Sequence, residues 1–384
     1  MSATFPNPLN DADGDDAVED GEALCLSGGG YRAMLFHLGV LWRLEQAGVL
    51  ARVKRVSSVS GGSITAAQLA LVWREVRPGT PGAIDRLIDR VVRPVRALAG
   101  RTLDADAIVG GILLPGSIGD RVAAAYRQAL FGDATLQSLP DAPGFVINAT
   151  NVQSGVLWRF SKPYMGDYRV GRVMKPELSL ATAVAASSAF PPLLSPIEID
   201  LPAGAVAADA TADLQREPFT TRVVLADGGV YDNMGLETAW KRYRTLYVSD
   251  GGARMQAEEE PKRDWPRHAY RVLDLIDNQV RALRKRAVIA AFTADPASAG
   301  ARRGAYWGIG TPVERYAGHS ARLPCPTEAV QQLAAVPTRL KRLDDRTQER
   351  LVNWGYAVCD AALRTHVDPG LTQPDGFPYP ARGV

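Results

Sequence analysis

Short apolar runs alternate with helically spaced ones at the start of the chain. Ala23-Leu24-Cys25-Leu26 is an unbroken apolar run bounded by Ser27 and three glycines, which predicts a buried strand. From Tyr31 to Gly48 the spacing becomes helical. Met34, Leu38, Leu41 and Leu44 share a face, and Gly48 stands where a helix-ending glycine belongs. Val53, Val56 and Val59 predict a second strand, Ser60-Gly61-Gly62-Ser63 a turn, and Ile64 to Val72 a second helix. Strand, glycine turn, helix, strand, serine-glycine turn, helix is the rhythm of a parallel sheet with crossover helices, and the expected class is α/β.

Further on, Ile84, Leu87, Ile88, Val91, Val92 and Val95 form an apolar helical face opposite Arg86, Arg90, Arg93 and Arg96. That basic face reads either as a solvated surface or as a contact for anionic headgroups. Phe145-Val146-Ile147, Val156-Leu157-Trp158, Val223-Val224-Leu225-Ala226 and Leu246-Tyr247-Val248 predict strands. Two long helices follow, one carrying Val272, Ile276, Val280, Leu283 and Ala287, the other Leu340, Leu343, Leu351 and Trp354. No repeat or linker-like composition interrupts the chain. The expected organisation is a flexible acidic tail over 1–21, one domain over 22–367 and a loose Pro- and Gly-rich tail over 368–384.

Composition narrows the classes. With 46% hydrophobic residues in 384, the chain is not disordered. A formal charge of +2 gives no support to a nucleic-acid partner. Cys25, Cys325 and Cys359 are too few and too scattered for a disulfide framework or a CxxC metal site. The acidic start lacks the apolar core of a secretion signal. The uncharged stretch from Leu178 to Ile197 is broken by Pro191, Pro192 and Pro196, so no membrane span is expected. The expected location is cytoplasmic, with any membrane contact peripheral; the oligomeric state is open.

Three local patterns carry chemistry. A glycine run between strand and helix, Ser27-Gly28-Gly29-Gly30-Tyr31-Arg32, aims backbone N–H groups and the positive end of a helix dipole at an anion. Gly28, Gly30 and Ala33 satisfy the dinucleotide fingerprint, but no carboxylate ends the next strand and no GK[ST] follows, so an oxyanion hole fits better. Ser58-Val59-Ser60-Gly61-Gly62 resembles the G-x-S-x-G elbow, with Ser58 replacing the first glycine and Gly62 keeping the last. It also reads as an ordinary turn capping the next helix through Ser63. Asp227-Gly228-Gly229 places a carboxyl at a strand end, although Asp250-Gly251-Gly252 repeats the tripeptide and both suit plain turns. His37, His268, His319 and His366 all lack a catalytic context, so a carboxylate with a raised pKa is the candidate base.

In order and spacing, Gly28-Gly29-Gly30-Tyr31-Arg32, Ser58-Val59-Ser60-Gly61-Gly62 and Asp227-Gly228-Gly229 resemble the patatin-like phospholipase family. Ala186-Ser187-Ser188-Ala189-Phe190-Pro191-Pro192, Phe131-Gly132-Asp133-Ala134-Thr135-Leu136 and Ile147-Asn148-Ala149-Thr150 are similar to it as well. The resemblance implies a three-layer α/β/α sandwich with a mainly parallel central sheet. It implies hydrolysis of fatty acyl esters of phospholipids or other lipids at a membrane surface, without metal or cofactor. It makes Ser60 the nucleophile and Asp227 the base, with the amides of Gly28, Gly29 and Gly30 as the oxyanion hole. Arg32, Gly62, Gly228 and Gly229 support them, and Arg32 is placed to brace the loop or meet a phosphate. The apolar stretch Ala107 to Gly119 is expected to be either a buried loop or an interfacial lid or acyl-groove wall. The rival classes are a non-catalytic lipid- or phosphate-binding module and a nucleotide-dependent enzyme.

Overall fold

The computed structural model describes residues 18–103, 118–192, 194–253, 255–316 and 323–384. His319 and most of the 107–119 stretch lie outside them. Ten strands among these residues form one sheet. They are β1 (Glu19–Leu26), β2 (Val53–Val59), β3 (Gly144–Asn151), β4 (Val156–Phe160), β5 (Tyr164–Asp167), β6 (Gly171–Met174), β7 (Ile197–Asp200), β8 (Arg222–Asp227), β9 (Tyr243–Asp250) and β10 (Arg303–Gly308). The spatial order is β10-β9-β1-β2-β3-β4-β5-β6, and all neighbours from β10 to β3 run parallel. From β3 outward the pairs are antiparallel. The sheet is α/β, with a parallel half and an antiparallel half.

The parallel half is buried on both faces, which suits its apolar runs. The first helix, α1 (Gly30–Gln46), is buried along nearly its whole length. It packs against α2 (Gly61–Leu71) and against the helix Asp345–His366 near the C-terminus. The other helices bearing on the site are α3 (Leu180–Ser187), α4 (Trp265–Thr293) and α5 (Thr327–Ala334), followed by α6 (Asp345–His366). Leu340 and Leu343, expected in the last helix, lie before it. That helix starts at the Asp344 cap, whose carboxylate accepts the Thr347 N–H at 2.9 Å.

Two expectations about the ends change. The first strand begins at Glu19, inside the expected 1–21 tail, because Glu19 N–H donates to the Arg242 carbonyl at 2.7 Å. Residues 368–384 are not loose. Asn353 Nδ2 donates to the carbonyls of Tyr379 and Gly383, Arg43 donates to the Thr372 carbonyl, and Phe377 and Tyr379 pack on the core. Composition suggested fraying; buried side chains reaching out from α1 and α6 hold the segment down.

The basic face near residue 90 is locally committed. Arg86 donates to the Val76 carbonyl, while Arg90, Arg93 and Arg96 pair with Glu75, Asp89 and Glu349. No described helix is long and apolar enough to cross a membrane. The three cysteines are buried free thiols.

Candidate active site

The sheet register brings the serine and the aspartate together. One side of β3 is shared by two strands: β2 pairs with its first half, Val59 opposite Asn148, and β8 with its second half, Asp227 opposite Ala149. β2 runs parallel to β3 and β8 antiparallel, so their C-terminal ends meet head to head. The sequence suggested two parallel strands ending side by side; the strand that delivers Asp227 arrives from the opposite direction.

At this meeting point Ser60 has φ 51° and ψ −120°, a conformation that costs a non-glycine residue roughly 1–3 kcal/mol. Such a tight strand-to-helix turn projects the hydroxyl away from the backbone. The turn has no room for side chains at its neighbours. A Cβ on Gly61 would stand 2.2 Å from the Gly30 carbonyl oxygen, and one on Gly62 2.4 Å from that of Leu26. A serine network fixes it from below. Ser60 N–H donates to Ser187 Oγ at 3.0 Å, Ser63 Oγ lies 2.9 Å from the same atom, and Ser187 Oγ donates to the Asn148 carbonyl at 2.6 Å. Ser58, where an elbow usually carries glycine, is fully buried and donates to the Val146 carbonyl. Its hydroxyl points into the sheet, away from any substrate.

Asp227 is buried, and its carboxyl lies beside the Ser60 side chain in the wall of one cavity. Its Oδ1 also accepts the Gly229 N–H at 2.7 Å. Burial pushes its pKa up to about 7; the Gly229 N–H and the nearby Ser60 hydroxyl pull it down, and the Asp277 carboxylate adds to the rise. Gly228 fits because a Cβ there would stand 2.3 Å from the Asn148 carbonyl oxygen. The sister motif is different. Burial pushes Asp250 up, but Arg281 at 3.1 Å and the Tyr306 hydroxyl at 2.8 Å outweigh it and hold the carboxyl below the ordinary value. Asp250 is an anchored anion, whereas Asp227 is a buried carboxyl whose pKa lies near neutrality.

The three glycines divide. Gly28 N–H donates to the Asn233 carbonyl at 3.0 Å, so it is not a free donor as the sequence suggested. Gly29 and Gly30 have φ 141° and 59°, and no backbone partner is seen for their N–H groups among the described residues. These two amides stand at the N-terminus of α1, where the dipole favours negative charge. Arg32 lies in the wall of a cavity that Ser60 also lines. It is fully buried, with Nε donating to the Gly251 carbonyl, Nη1 to the Val336 carbonyl and Nη2 to Thr338 Oγ1. Together with the Tyr31 N–H, which donates to the Arg339 carbonyl at 3.1 Å, it straps residues 336–339 across the glycine loop. Asn233 and this strap escaped the sequence reading. A Cβ on Gly28 would stand 2.4 Å from Asn233 Oδ1. The only local signal for Asn233 is its position shortly after Asp-Gly-Gly.

Two cavities meet at Ser60. One, of about 450 Å³, has the more polar wall of the two, with Asp227, Asn233, Asp277, Asn278 and Arg281 in it. The other, of about 500 Å³, is apolar, with Phe190, Pro191, Pro192, Leu194, Tyr270 and Leu340. No histidine among the described residues lines either. His37 is fully buried between Ser249 Oγ at 2.9 Å and the Ser27 carbonyl at 3.0 Å, and burial lowers its pKa to about 4. No described cluster of three His, Cys, Asp or Glu residues could hold a metal ion.

Fold and site thus define an α/β protein with a strained strand-end serine against a buried carboxyl. The profile of the family described as patatin-like phospholipase matches residues 24–240, more than half of the chain, and the chain belongs to that family. Among solved structures it is similar to human GIVD cytosolic phospholipase A2, with 16% identity and a TM-score of 0.55 over 89% of this chain and 62% of that one. The same human enzyme in complex with methyl gamma-linolenyl fluorophosphonate inhibitor and terbium chloride matches with 17% identity, TM-score 0.52, and 89% and 57% coverage. At such identity the likeness is one of fold. The chain spans about three fifths of the length of these structures. No curated protein matches it in sequence.

Proposed function

We propose that this chain hydrolyses fatty acyl esters of phospholipids or other lipids, using Ser60 as nucleophile and Asp227 as base. The observation that supports this most is a strained, strand-end hydroxyl beside a buried carboxyl whose pKa is raised to about 7, both in the wall of one cavity. A carboxylate of ordinary acidity is a poor base for a serine; one near neutrality holds a proton part of the time and can return it. Ser60 Oγ attacks the ester carbonyl as its proton passes to Asp227. The oxyanion forms at the amides of Gly29 and Gly30, each donor contributing on the order of 10²–10³ in rate. Asp227 then gives its proton to the departing alcohol. Water attacks the acyl-serine, its proton goes to Asp227 and returns to Ser60, and the fatty acid leaves.

The paired cavities support an amphiphilic substrate. An acyl chain fits the apolar groove past Phe190 and Leu194, and a polar headgroup the cavity beside Asn233 and Arg281. Substrate drawn from a membrane surface follows from that amphiphilicity. The test is labelling with a fatty acyl fluorophosphonate and mass spectrometry of products from a mixed phospholipid and acylglycerol panel. The native chain should label at Ser60 and release free fatty acid; Ser60→Ala should do neither. Full hydrolysis by Ser60→Ala refutes the assignment, and absence of both reactions in the native chain favours a binding module.

A further inference from the structure

The helix α4 is amphipathic the wrong way round. Its charged face turns inward. Arg271 pairs with Glu258, Arg281 with Asp250 and Arg284 with Glu237, while Lys285 lies 4.6 Å over the Tyr306 ring. Asp274 and Asp277 face the polar cavity. The apolar stripe that the sequence marks as a packing face, Val272, Ile276, Val280, Leu283 and Ala287, points to solvent. Leu273 is 60% exposed, Leu283 52%, and Trp265 at the helix start 81%. The exposed stripe runs from Trp265 to Ile289, about 36 Å of helix. Only Val288 and Ala291 on this helix are buried. Salt bridges dock α4, and an extended hydrophobic surface is left uncovered, which marks an interaction site.

We infer that this face seats the protein on a phospholipid bilayer containing anionic lipid, with the active-site mouth turned to the membrane. The inference rests on the lipid-hydrolase reading above. Three observations select a bilayer over a second copy or another protein. First, the stripe is continuous with the mouth: Pro266, Arg267 and Tyr270 on its first turns line the apolar groove that holds Ser60. A protein partner there would cover the entrance, whereas a bilayer would supply the substrate. Second, Trp265 and Tyr270 are exposed aromatic groups at that end, suited to the headgroup level. Third, within the helix the exposed charged groups are cationic, Arg286 and Arg267, the latter paired with the Asp264 cap, while both of its carboxylates turn inward. That arrangement complements anionic headgroups.

The test uses the full chain and sedimented vesicles of zwitterionic phospholipid with and without phosphatidylglycerol. The native chain should bind, more tightly with the anionic lipid, and its fluorescence should shift to the blue; Trp265→Phe should abolish most of that shift. A variant with Leu273, Ile276, Val280 and Leu283 changed to Ser should lose at least ten-fold in vesicle partitioning and in vesicle hydrolysis. It should hydrolyse a soluble short-chain ester at the native rate, since none of the four lines a cavity. Unchanged partitioning, or a native chain that sediments as a dimer which the variant dissociates, overturns the inference. Vesicle binding by a chain that cleaves no ester upholds the docking face and sinks the proposed function instead.

Discussion

Replacing Asp227 with Asn should remove activity and, above neutral pH, make the fold more stable. In the unfolded chain this carboxyl titrates near 3.8; in the fold, burial raises it to about 7. Folding therefore favours the protonated form. The stability contribution is complete below pH 3.8 and is lost as pH rises through about 7. At about 1.4 kcal/mol per pH unit, the gap corresponds to about 4 kcal/mol of destabilisation at pH 8, a ceiling that relaxation of the site reduces. Asn is neutral throughout and keeps an oxygen for the Gly229 N–H. Urea unfolding of both proteins from pH 4 to 8 isolates this group, because other titrations are common to the pair. The native-minus-variant difference should fall steadily between pH 4 and 7 and then level. In the proposed mechanism the same group sets catalysis, since only the carboxylate accepts the serine proton. The acid limb of kcat/KM, which reports the free enzyme, should have its midpoint where that difference levels, about pH 7. Parallel stability curves for the two proteins, or an acid limb near pH 4, would refute the argument.

Two further substitutions separate the roles of nearby groups. Gly30→Ala places a Cβ 2.6 Å from the Arg339 carbonyl oxygen at φ 59°, so thermal unfolding should show a loss of about 1–3 kcal/mol, and ester turnover should fall on the order of 10²-fold. His37 titrates at about 4 in the fold against 6.5 free, so its contribution is present above pH 6.5 and is lost as pH falls through 4. His37→Gln should flatten that acid loss, about 3 kcal/mol at most, in urea titrations, while the limb of kcat/KM near pH 7 stays; a limb that vanishes would make His37 the base.

What the sequence disclosed was whatever one segment decides by itself. The turn at Ser60 needs small residues after it, and Gly61 and Gly62 sit where other backbones pass within contact distance. The strands of the parallel half carry apolar runs because both of their faces are covered. What stayed hidden depends on distant partners. Asp227 and Asp250 share one tripeptide at strand ends, yet Arg281 and Tyr306, which hold Asp250 charged, come from elements well beyond either motif. For Arg32 the sequence left bracing the loop and meeting a phosphate both open; the acceptors that make it a brace, at Val336 and Thr338, lie some 300 residues away. Periodicity likewise grouped Val272, Ile276, Val280 and Leu283 on one face without saying which way that face turns. The inward face of α4 is chosen by Asp250, Asp232 and Glu237, whose charges require the arginines. Arg281, held by Asp250, also lines the cavity at Ser60, so the ion pair that shapes that wall helps to turn the apolar stripe outward. Catalytic electrostatics and the exposed surface are then two results of a single packing choice.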